Sequence, residues 1–166
     1  MPRVYLAATF TGVLVTITLV YRWYVRPRLE GLELSTALQP LILLHCGRFI
    51  GPISLVPGVT LPTLAPEFAV PQAWGDYITA ALALAAVVAL RARWRSALLL
   101  VWLFSAFGIG DLVYAAVQAS RFEAANHIGA MYYLLGWYVP ALVVTHGAIV
   151  RMLITREPVS SMATQT

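Results

Sequence analysis

Residues Ala97–Gln118 read ALLLVWLFSAFGIGDLVYAAVQ, 22 positions with one charged side chain, Asp111. A helix needs about 20 predominantly apolar residues to cross the roughly 30 Å hydrocarbon core of a bilayer. Four further stretches meet that criterion: Val4–Tyr24, Thr36–Val56, Trp74–Leu90 and Ile128–Val150. Their backbone polar groups would find no water in lipid, so each segment is predicted to be helical. The alternating ten-residue pattern of a transmembrane barrel is absent. The expected fold is an all-α integral membrane protein, a bundle of about five transmembrane helices. It forms one polytopic domain over residues 1–156, followed by a polar tail over 157–166.

The rest of the composition agrees. Of 166 residues, 60% are hydrophobic and 11% charged. A soluble domain carries about 25% charged residues, and one this small cannot bury so much apolar surface. An ordinary soluble enzyme, a disordered chain and a nucleic-acid-binding domain are therefore excluded. All 11 basic residues are arginine, which removes chemistry that needs a lysine amine, such as a Schiff base or a phosphate-loop lysine. The net charge of +4 is no nucleic-acid footprint, because the arginines punctuate apolar runs instead of clustering on a wet face. Cys46, the single cysteine, forms neither an intrachain disulfide nor a thiolate zinc site. An all-arginine, alanine-rich composition suggests a GC-rich bacterial genome and hence an inner (plasma) membrane.

The arginines also orient the chain. Arg22, Arg26, Arg28, Arg91, Arg93, Arg95, Arg151 and Arg156 follow or join spans on one side, while Arg3 and Arg121 fall on the other. The positive-inside bias then predicts an outside N-terminus and an inside C-terminus. The first span has its charge after the apolar run, so it reads as an uncleaved anchor. Residues 57–73 form the longest connection. Its four prolines argue against a continuous helix, and Leu61, Leu64, Phe68 and Val70 suggest that it lies on the membrane or folds over the bundle.

An ionisable residue inside a span costs about 2.5–3.5 kcal/mol at the bilayer centre by insertion-type scales, so such residues are the first place to look for function. Arg48 and Asp111 are the two. Counted from the inner ends of their spans they lie roughly 18 and 21 Å deep, so a pair between them is geometrically natural. Such a pair serves either a ligand or helix packing. Around Arg48 the sequence reads LHCGRFIGPISLVPG (44–58). His45 shares its face, Gly47 and Gly51 suit close helix contact, and Pro52 is expected to kink the helix near Arg48. Gly108, Asp111, Tyr114 or Ala115, and Gln118 form a polar stripe. Tyr5, Thr9, Gly12 and Thr16 form a small-polar stripe expected to mark the protein-facing side of the first span.

In the last span, Tyr132 and Tyr133 read as an aromatic belt, while Trp137 and Tyr138 sit deeper as candidate ligand contacts. Asp76 and His127 are placed at outer span ends, where they could join Asp111 in an acidic–imidazole cluster. Metal-ligand spacing is absent. His45 and His146 are weak candidates for axial ligands of a b-type haem. No covalent nucleophile motif stands out, which leans away from an enzyme. Three functions remain open. The chain binds, or transports, a small molecule or lipid in a polar cavity around Arg48 and Asp111. It is a redox subunit holding haem or quinone through His45 or His146. Or it is a structural or assembly subunit without a ligand. Membrane lipids are expected partners, and homo- or hetero-oligomers are compatible with every reading.

Overall fold

The computed structural model describes residues 2–155 and contains five helices long and apolar enough to cross a membrane. They are α1 (Arg3–Glu30), α2 (Leu34–Leu55), α3 (Pro66–Arg91), α4 (Ala97–Arg121) and α5 (Met131–Thr155). No strand occurs among the described residues, only an isolated bridge between Pro57 and Thr60. Arg156 and the tail 157–166 lie outside the described residues.

Proline and glycine set the irregularities. α1 passes its expected end at Tyr24 and continues through a π-helical turn, Tyr21–Val25, into Arg26–Glu30. Pro27 cannot donate a backbone hydrogen bond, and the wider turn before it accommodates the ring. Arg26 thereby sits one turn from Glu30, with Nε donating to Oε1 at 2.6 Å. α2 is α-helical to Cys46 and then tightens into a nine-residue 3-10 segment, Gly47–Leu55. The irregularity expected at Pro52 is thus realised as a change of helix type. In a 3-10 helix, residues three apart eclipse one another. Arg48, Gly51 and Ser54 accordingly form the buried row of that segment.

α3 corrects the sequence reading most. It begins at Pro66, eight residues before the expected Trp74, so the connection is shorter than 57–73. Pro66 occupies the first helical turn, where its missing N–H costs nothing. Pro71 lies one turn further in and removes a single helical bond without ending the helix. The remaining loop is fixed to the α4–α5 connection: Leu61 N–H donates to the His127 carbonyl at 2.9 Å, and Ala130 N–H to that of Val59 at 2.8 Å. Leu64 and Phe68 are buried against Ala124, Ile128 and Met131, whereas Leu61 and Val70 stay exposed.

α3 lies at the centre, packed against both α2 and α4, and α1 rests chiefly on α5. One apolar cluster, including Leu38, Ile42, Val101, Phe104 and Ile149, fills the half of the bundle nearest Arg91 and Arg151. The second, around Phe68 and Ile128, closes the opposite end. Between them lies a polar layer. The small-polar stripe of α1 does not mark its protein face: Tyr5, Gly12 and Thr16 are exposed, and only Thr9 turns inward, bonded to Tyr132 at 2.7 Å. Thr16 instead donates to its own Gly12 carbonyl at 2.9 Å.

Candidate functional site

Three helices bring three charges together. Arg48 of α2 donates from Nε to Asp76 Oδ1 of α3 at 2.6 Å and from Nη2 to Asp111 Oδ2 of α4. Its side chain is 2% exposed, those of Asp76 and Asp111 16% and 8%. Gln72, one turn before Asp76, donates from Nε2 to Asp76 Oδ2. The expected Arg48–Asp111 contact is present, and Asp76 completes it. The outer cluster of Asp76, His127 and Asp111 does not form. Asp76 lies ten residues into α3, about 15 Å along its axis. His127 stays on the connection and pairs with Thr63 through Nδ1 at 2.8 Å.

Glycines on neighbouring helices make this layer possible. A Cβ at Gly75 would collide with the Asp111 carboxylate, and one at Gly51 with Asp76. One at Gly108 would lie 2.7 Å from His146 Nε2, and one at Gly47 2.5 Å from the Tyr138 hydroxyl. Each polar side chain therefore sits in a notch that any larger residue would fill. Tyr138 donates its hydroxyl to the Leu44 carbonyl at 2.6 Å, next to the point where α2 changes helix type.

The histidines form a deeper step of the same layer. The rings of His45 and His146 lie 4.0 Å apart at 55°, with Phe104 against both. Thr145 gives its proton to the Ala141 carbonyl at 2.8 Å, so His45 Nε2, at 2.9 Å from Thr145, is the donor of that pair. His45 Nδ1, both nitrogens of His146 and Ser105 Oγ are buried without a protein partner. The axial-ligand reading of His45 and His146 draws no support from this arrangement. An axial imidazole offers an iron the in-plane lone pair of one ring nitrogen. These two rings lie tilted against each other and pack against Phe104, at most 2% exposed. Among the described residues, no group of three His, Cys, Asp or Glu side chains converges on a common point.

A cavity of about 510 Å³ adjoins the charged triad. Arg48, Gln72, Asp76, Asp111 and Tyr138 form its polar side. Its walls are apolar, with Phe10 from α1, Ala115 from α4 and Leu135 from α5 among them. It lies where α4 beyond Gly108 buries no side chain but that of Asp111, leaving the space towards α1 and α5 unfilled. The three other ligand candidates, His45, Trp137 and Tyr114, fall outside it. Trp137 is 61% exposed, and Tyr114 is 46% exposed and accepts from Gln118 Nε2 at 3.0 Å. Gln72 and Gly75 went unnoticed in the sequence. Pro66 followed by Glu67 is a helix-start signal that would have placed both of them, with Asp76, on one helix.

A family model for a domain of unknown function, DUF8737, matches residues 5–154. The chain belongs to that family. The matched region of this DUF8737 chain reaches from the first turn of α1 to the last turn of α5 and so includes the whole triad and all of the cavity lining except Arg3. No curated protein and no solved structure matches the chain.

Proposed function

We propose that this DUF8737 chain is an inner-membrane protein, with its N-terminus outside and its C-terminus inside, that binds a small amphipathic molecule or lipid, or carries it. The observation behind this reading is a cavity of about 510 Å³ whose walls are apolar and whose floor holds a buried arginine between two carboxylates. Ligand sites are typically apolar hollows of about 300–1,000 Å³ with a few convergent polar groups. Leu99, Leu103, Val113 and Val117 of α4 are among many large apolar side chains left exposed, which suits a lipid environment. Arg22, Arg26, Arg28, Arg91, Arg93, Arg95 and Arg151 gather at one end of the bundle, which supports the inside assignment for that end.

Native mass spectrometry of protein released from lipid nanodiscs tests the cavity. A bound amphiphile is expected on the wild-type chain and is expected to be lost from Ala115→Trp, which fills the space. Identical adduct patterns on both would refute it. A second reading, a packing device that fixes helix register, draws on the four glycine notches. It predicts no retained ligand in either protein.

A further inference from the structure

We infer that the cavity selects a monovalent organic cation, an ammonium on an apolar body, and that this cation enters in exchange for a proton. This rests on the cavity reading above and names its ligand class. The triad holds one guanidinium and two carboxylates, so with all three ionised it carries one uncompensated negative charge. Arg48 brings a single positive charge, shared through Nε and Nη2 between Asp76 and Asp111, and its Nη1 is a further buried donor without a protein partner. A net charge is costly in a water-poor, low-dielectric site, so the cluster needs one positive counter-charge.

Surrounding groups do not provide it. Arg3 at the cavity's far end is engaged by Glu123 at 2.9 Å. His45 is committed through Nε2 to Thr145, and His146 is buried against Phe104. Tyr138 spends its proton on the Leu44 carbonyl. A second observation points to an N–H donor. Gln72 borders the cavity and is 8% exposed, and its Oε1 is a buried acceptor without a partner, beside Asp76. An ammonium would satisfy the carboxylate charge and this oxygen together. The apolar walls would take its hydrocarbon part. The exchange is charge-neutral: the cation enters as the proton held by the carboxylate pair leaves to water.

The test uses the full chain in nanodiscs and four probes of equal chain length: octylammonium, octyltrimethylammonium, octanoate and octanol. Calorimetry in buffers of different ionisation enthalpy counts the protons. Octylammonium is expected to bind at least about tenfold tighter than octanol or octanoate, releasing about one proton per cation, with octyltrimethylammonium between. Asp111→Asn and Asp76→Asn are each expected to abolish the preference. Equal binding of all four, a preference for octanoate, or cation binding without proton release overturns the inference. If that binding still disappears in Ala115→Trp, the cavity reading survives. Absence of binding by every probe overturns both. The proton count on the wild-type chain stands even if a variant fails to fold.

Discussion

At the scale of single residues, Arg48 is the keystone of the polar layer because it is shared. A guanidinium presents several donors in a fixed plane, and here two of them serve carboxylates from different helices. Removing a partner from a buried ion pair typically costs about 3–5 kcal/mol, since an uncompensated charge stays behind. Arg48→Leu is expected to reach that range, because it strands two aspartates. Asp111→Asn keeps the shape and an acceptor for Arg48, so its cost should be nearer 1–3 kcal/mol, roughly that of one weakened buried hydrogen bond. The triple variant Arg48→Leu/Asp76→Asn/Asp111→Asn should recover much of the loss, because no buried charge remains. Thermal unfolding in detergent measures all three. Strictly additive losses would show that the side chains act independently.

At the scale of elements, the 3-10 segment of α2 and its contact with α5 decide how the layer is held. Gly47 opens that segment, and the Tyr138 hydroxyl occupies the place where a Cβ would stand. Gly47→Ala should therefore destabilise by about 1–3 kcal/mol, the usual cost of overpacking. Tyr138→Phe removes the obstructing oxygen but also its hydrogen bond to Leu44, for a loss of about 1 kcal/mol. The double variant should be less damaged than the sum of the two, because the methyl then enters vacated space. Denaturant or thermal melts of the four proteins settle the sign. A double variant as poor as the sum, or worse, would show that the hydroxyl is not what excludes a side chain at Gly47. The prolines of α1, α2 and α3 also show why a proline is a poor guide to a helix end. Pro52 shifts α2 to a tighter helix, Pro27 follows a wider turn, and Pro71 leaves α3 unbroken.

At the scale of the whole molecule, the charged ends and the apolar flanks define a direction. The connection 92–96 belongs to the arginine-rich end, and the loop around Thr60 to the other. With Cys46 replaced by alanine, Ser96→Cys should resist a membrane-impermeant thiol reagent applied to intact cells. Thr60→Cys should react. The opposite pattern would reverse the orientation. Closure of the bundle is uneven: apolar side chains seal the arginine-rich half, while the half of α4 beyond Gly108 stands away from α5. The cavity is a property of that unevenness and belongs to no single helix.

Five apolar helices were legible in the sequence because length and apolarity are local sums, insensitive to small errors at the ends. The meeting of Arg48 with Asp111 was legible for a similar reason: both lie far from the ends of well-marked spans, so their depths tolerate an error of a turn. Asp76 was not. Moving the start of α3 by eight residues shifts every side chain on it by about 12 Å in depth, enough to turn an apparent end residue into a partner of Arg48. Trp137 and Tyr114 lie off the cavity for a different reason. Each residue turns the helix by about 100°, and nothing in the chain alone states which way a mostly apolar helix is rotated. Tyr138 faces the cavity and its neighbour Trp137 faces out. The paired histidines and the cavity depend on how helices distant in sequence settle against one another, and only the tertiary structure decides that.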